Sequence, residues 1–155
     1  MESTTEVTAV RREIAIAARP ETVWEFLVDS EKTMRWMGIS ADLDPAPGGR
    51  YLVEVIPGHV ARGEFVELEP PHRLVLAWGW ETRGEGPNAV PPGSSRIEFE
   101  LVPDGDGTLL RFVHELPTAE EATKHEVGWE HYLGRLGAAA GGSDPGADPW
   151  ITDGR

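Results

Sequence analysis

Between residues 39 and 116 the hydrophobic pattern runs with a period of two and is cut at short intervals by turn-forming residues. This run of strands limits what the chain can fold into more than any other feature. The breaks fall at Pro45-Ala46-Pro47-Gly48-Gly49, Pro57-Gly58, Pro70-Pro71, Pro87 to Gly93 and Asp104-Gly105-Asp106-Gly107, leaving six strands at 39–45, 50–56, 59–68, 73–81, 95–102 and 108–116. Strands joined by short turns pair as an antiparallel meander, and one face of that sheet must be covered. Only residues 119–140 offer a cover of sufficient length. Thr118 with Glu121 three positions on has the spacing of an N-terminal cap, and Ala122, Trp129, Leu133, Leu136 and Ala140 recur at helical steps. Upstream, Val10, Ile14 and Ile16 mark a strand over 8–17. Pro20 suits the first turn of a helix carrying Val23, Trp24, Phe26 and Leu27, and a second short helix runs from Ser30, read as its cap, to Gly38. The expected fold is α+β in the order β-α-α-β6-α: a curved antiparallel sheet of about seven strands wrapped around a long C-terminal helix. A bent sheet gripping one helix seldom closes at its mouth, so a cavity between the two is expected.

Composition narrows the partners. The 155 residues suit one domain, expected over 1–141, followed by a flexible tail over 142–155 whose only apolar anchors are Trp150 and Ile151. A formal charge of −13 repels phosphate backbones, so nucleic acid is not an expected partner. No apolar run approaches the ~20 residues of a membrane span. The first twelve residues lack the apolar core of a secretory signal, and a cytoplasmic location is expected. With no Cys, disulfides, thiolate metal sites and Cys nucleophiles are excluded. His59, His72, His114, His125 and His131 form no HExxH pair, and His125 and His131 point to different helix faces, so neither a metal site nor any cofactor is expected. Ser94-Ser95 lies in a Gly/Pro-rich loop without a nucleophile elbow, and Gly84-Glu85-Gly86 opens no helix that could hold a dinucleotide.

Six segments, in order, resemble a known family: Ala18-Arg19-Pro20-Glu21-Thr22-Val23-Trp24, Arg35-Trp36-Met37-Gly38, Pro47-Gly48-Gly49-Arg50-Tyr51, the run from Gly63 to Val75, Pro103-Asp104-Gly105-Asp106-Gly107-Thr108 and His125-Glu126-Val127-Gly128-Trp129. Together they are similar to the bacterial branch of the homologues of the activator of the ninety-kilodalton heat-shock-protein ATPase. That branch lies in the START and Bet v 1-like (SRPBCC) superfamily, and the resemblance extends from about Val7 to Ala140. It implies a helix-grip fold. It also implies a cavity for a lipid, hormone, polyketide or aromatic compound, which a minority of the superfamily use for catalysis. The chaperone-stimulating members are longer and carry an additional domain, so the resemblance implies a shared domain rather than chaperone activation.

Candidate site residues follow from face parity. Leu110, Phe112 and His114 share one strand face, and Leu74, Leu76, Trp78 and Trp80 share another. Tyr51 shares its face with Val53 and Val55, and Trp36 and Met37 sit on the elbow between the first helices and the sheet. His125 and Trp129, four apart, stack on one face of the terminal helix. The candidate ligand-contacting set is Trp36, Tyr51, Phe65, Trp78, Phe99, Phe112, His114, His125 and Trp129, with His125 the candidate acid or base. For each, core packing, or for His125 a bond to a nearby backbone carbonyl, is the competing role. Three functions stay open. A binder of a small hydrophobic ligand needs no catalytic constellation and leads. An enzyme using His125 and a co-chaperone or other interaction protein follow. The loop 84–94, rich in Gly and Pro, is a candidate lid.

Overall fold

The alternation seen in the sequence sets the faces of the strands. The computed structural model describes residues 8–81 and 88–152. Its strands are β1 (Ala9–Ile16), β2 (Ser40–Leu43), β3 (Arg50–Ile56), β4 (His59–Glu69), β5 (Arg73–Trp80), β6 (Ser95–Asp104) and β7 (Gly107–Glu115). They form one antiparallel sheet in the order β1-β7-β6-β5-β4-β3-β2, so each strand from β2 to β7 pairs with its neighbour in sequence and β1 closes on β7. Ser95, Ile97, Phe99 and Leu101 on β6 and Thr108, Leu110, Phe112 and His114 on β7 are buried in strict alternation with partly covered or exposed residues. On the outer face the acidic residues meet arginines across strands: Arg73 binds Glu98 and Glu67 at 2.8 Å, and Arg111 binds Glu13 at 3.2 Å.

Helix α1 (Pro20–Val28) begins on its proline, as expected. The second helix differs from the reading above. Helix α2 is only Ser30–Thr33, and its cap is Asp29, whose carboxylate accepts from the backbone N–H of Glu31 and Lys32. Asp29 outcompetes Ser30 because it leaves the preceding helix with extended backbone and a charged acceptor, while the Ser30 hydroxyl accepts from Leu43 N–H on β2. The elbow ends at Gly38, which adopts φ +97° and where a Cβ would press to 2.7 Å from Val53.

Helix α3 (Ala119–Ala140) lies across the concave side of the sheet and buries Trp129, Leu133 and Leu136 into the same core as Phe112, Ile97 and Phe65. Thr118 caps it, its hydroxyl accepting from Glu121 N–H at 3.1 Å. Thr118→Ala is expected to cost about 1 kcal/mol in urea denaturation. Among the described residues no helix is long and apolar enough to cross a membrane.

Two segments depart from the sequence reading. Residues 88–94 lie along the end of β5 instead of projecting as a flap: Trp80 N–H donates to Val90 O at 2.7 Å, the Asn88 amide donates to Trp80 O at 2.8 Å, and Val90 is buried. Gly79 is required there, because a Cβ would sit 2.0 Å from Pro91 O. The remaining part of the candidate lid, 84–87, lies outside the described residues. The tail expected to be free turns back after α3 and ends in a helical turn, α4 (Pro149–Thr152), packed on α3 through Trp150.

Candidate functional site: an aromatic cavity under the terminal helix

A cavity of about 310 Å³ opens between β3, β4 and β5 on one side and α3 on the other. Its position follows from a bulge. The register of β3 on β4 shifts between Glu54 and Ile56, so the consecutive residues Val55 and Ile56, which a regular strand would send to opposite faces, both border the cavity. Trp78 and Trp80 reach it from β5 by simple alternation. From α3 come His125, Gly128, Trp129 and Tyr132, spaced as one helical face, and Met37 and Trp150 also line it. The walls are almost wholly apolar.

The polar atoms of this region are paired with one another. Trp80 Nε1 donates to His125 Nε2 at 3.0 Å, which leaves the proton of the neutral ring on Nδ1, and Nδ1 donates to Glu121 O at 2.8 Å. Behind it, Trp129 Nε1 donates to His114 Nδ1 at 2.9 Å, so His114 carries its proton on Nε2 and gives it to Ser95 Oγ at 2.9 Å, whose hydroxyl donates to Trp78 O at 2.7 Å. Burial, and to a lesser degree the neighbouring His125, pull the His114 pKa down to about 3. Each histidine thus takes one indole N–H and gives one proton, and the two rings flank Trp78 edge-on at centroid distances of 4.8 and 6.0 Å. Trp78 itself is different. Its indole N–H is the only buried side-chain polar atom among the described residues that completes no hydrogen bond of ordinary geometry. Burial raises the Tyr51 phenol well above its usual pKa, an effect the neighbouring Trp78 indole N–H partly offsets.

Of the candidate residues, the structure brings Trp78, His125 and Trp129 together at the cavity. It does not bring the others there. Trp36 turns inward, its Nε1 bonded to Phe26 O at 2.8 Å, and its neighbour Met37 takes the cavity position. Tyr51 packs edge-on against Phe65, and Phe99 against Phe112, all four deep in the core. His114 is fully buried and holds Trp129 from behind. Parity identifies which residues face inward, and these six do; it carries no information about which inward residues border empty space. Trp80 and Tyr132 were missed, although Trp80 shares the face of Trp78 and Tyr132 follows His125 by seven residues on one helical face. Trp150 is marked in the sequence only as an apolar anchor of the tail, with nothing that places it at the cavity. Among the described residues no three His, Asp or Glu side chains converge in a way that could hold a metal ion.

The comparisons with known proteins agree with this architecture. The sequence profile of the family described as "Activator of Hsp90 ATPase homolog 1-like protein" matches residues 17–141. No curated protein matches the chain. Among solved structures, an AHSA1-like protein from Rhizobium etli is 50% identical over 92% of this chain and 87% of that chain, with a TM-score of 0.70. CalU16 from Micromonospora echinospora is 29% identical over 86% of this chain and 75% of its own in the crystal, with a TM-score of 0.66. At 19% identity, the Aha1 dimer from Colwellia psychrerythraea shares the fold, covering 87% of this chain and 98% of that one at a TM-score of 0.71. The chain therefore belongs to the AHSA1-like family of the SRPBCC superfamily.

Proposed function

We propose that this protein binds a small, ring-bearing hydrophobic molecule in the cavity between β3–β5 and α3. The observation that carries this reading is the pairing of polar atoms around an apolar space: Trp80 with His125 and Trp129 with His114 satisfy one another, so the walls offer aromatic surface and no competing polar demand. The same pairing gives the enzyme reading less support. His125 accepts a proton only after releasing Trp80, and donates its Nδ1 proton only after releasing Glu121 O. The co-chaperone reading rests on no comparable feature: among the described residues the exposed large apolar side chains are Met34, Ile39, Val66 and Val127, and Val127 belongs to the cavity rim.

The test uses the neutral fluorophore N-phenyl-1-naphthylamine, whose emission rises in apolar surroundings and which accepts energy from tryptophan. Uptake is expected to be saturable and to quench emission from the Trp residues around the cavity. Gly128 provides the control. It borders the cavity, and a Cβ built on it meets nothing within 4 Å, so Gly128→Leu fills the space while removing a helix-interior glycine that costs about 0.5–1 kcal/mol. Loss of probe binding with unchanged or higher thermal stability is expected; equal binding by the variant, or no binding by the parent, overturns the reading.

A further inference from the structure

The segment after α3 is tied down by unusually specific chemistry for a terminal extension. Asp148 is 6% exposed, and its carboxylate takes three hydrogen bonds: Oδ1 from His131 Nε2 at 2.9 Å and from Trp150 N–H at 3.0 Å, Oδ2 from the Tyr132 hydroxyl at 2.9 Å. Burial alone would push this carboxyl up, yet these bonds and the His131 charge hold it below the usual range. One turn along α3, Arg135 donates to Pro145 O at 3.3 Å and to Gly146 O at 2.9 Å while its Nε holds Trp36 O at 3.1 Å, joining the strap, α3 and the elbow.

The result of this clamp is the placement of one side chain. Trp150 stacks on His131 with ring centroids 3.9 Å apart and 13° between planes, meets Tyr132 edge-on at 5.5 Å, and forms part of the cavity wall. Val55, Trp78, Trp80 and Trp129, on the other walls, are carried by strands or by α3, whose backbone is held by its own ladder of hydrogen bonds. Trp150 is carried by a short segment held through side chains, so it is the wall with the lowest cost of opening. Residues 143–152 also lie beyond the 17–141 that the family profile matches.

We propose that residues 143–152 are a strap that closes the cavity, with Trp150 the ligand-contacting residue that sets how long a bound molecule stays and the Asp148 clamp to His131 and Tyr132 the latch that holds it. The proposal rests on the hydrophobic-ligand reading above. A ring system in the cavity gains an aromatic face from Trp150 and is sealed from water by it; in return, the occupied cavity stabilises the closed strap, because binding and closure are thermodynamically linked.

Stopped-flow dissociation of N-phenyl-1-naphthylamine tests it, with Trp150→Ala, Asp148→Asn and a chain ending at Gly142 compared with the parent, each checked for helix content by circular dichroism. Trp150→Ala and the shortened chain are expected to release the probe about ten-fold faster, with Asp148→Asn between them and the parent. Amide exchange on the unaltered protein provides a readout that needs no variant: the N–H groups of Trp150 and Ile151 are expected to exchange more slowly when the probe is bound. Release rates within about two-fold of the parent in both Trp150→Ala and the shortened chain overturn the strap, as does strap exchange that is indifferent to the probe. Failure of the parent to bind the probe is the separate outcome that removes the cavity reading, and the strap with it.

Discussion

Lowering the pH from 7 to 5 is expected to remove about 2 kcal/mol of folding stability through His114 alone. The side chain is 0% exposed, and burial holds its pKa at about 3. In the unfolded chain a histidine takes up its proton near pH 6.5. Between those values the unfolded state binds the proton and the folded state does not, so acid draws the equilibrium toward unfolding. The stabilising contribution is complete above about pH 6.5, declines by about 1.4 kcal/mol per pH unit below it, and levels off near pH 3. Asp148, whose carboxyl is held below the usual range, adds a loss of the same sign only at more acidic pH, near the ordinary carboxylate range. Urea denaturation at pH 7, 6 and 5 measures the slope. The assignment to His114 comes from NMR, where its ring resonances should stay constant through pH 5; a native-state titration of His114 between pH 6 and 7 would sink the prediction.

Replacing Trp129 by alanine is expected to cost about 3–5 kcal/mol, enough to threaten a domain of this size. The residue is buried, its ring centroid lies 4.5 Å from that of Phe112, and its indole N–H satisfies His114. Truncation therefore removes aromatic contact, enlarges the existing cavity and leaves a buried imidazole nitrogen unpaired. Trp129→Phe separates the terms: it keeps much of the packing and loses the hydrogen bond, for an expected cost of about 1–3 kcal/mol. Thermal and urea denaturation of both variants decide the matter. A Trp129→Ala protein as stable as its parent would mean that the ring is a dispensable part of the cavity lining instead of the hinge between core and cavity.

How far the candidate site was legible depends on the residue. Trp78, His125 and Trp129 were legible because the two periodicities, two along β5 and four along α3, aim them at one space. Phe65, Phe99 and Phe112 obey the same parity and yet pack solidly, because α3 approaches the sheet most closely at β1 and α1 packs against β6 and β7, while the cavity opens at the other end, where β3 is bulged. Met37 replaces Trp36 at the cavity for a similar reason: a four-residue helix capped by Asp29 places the turn that follows it differently from the longer helix that the pattern suggested.

The strap marks the far end of this scale. Residues 143–152 read as polar, Gly- and Pro-rich chain, and nothing local distinguishes Asp148 from the other acidic residues in a sequence that has 27 of them. Its burial depends on His131, Tyr132 and Arg135, side chains that α3 presents at the correct spacing only once the helix is docked. The sequence by itself determined the order of elements, the inward faces of the strands and helix, and the family, since alternation, helical period and turn residues are local properties that act within a few positions. Tertiary structure alone decided where the core stops and the cavity begins, which nitrogen of each histidine carries its proton, and that Trp150 becomes a wall, because all three depend on distances between residues far apart in the chain.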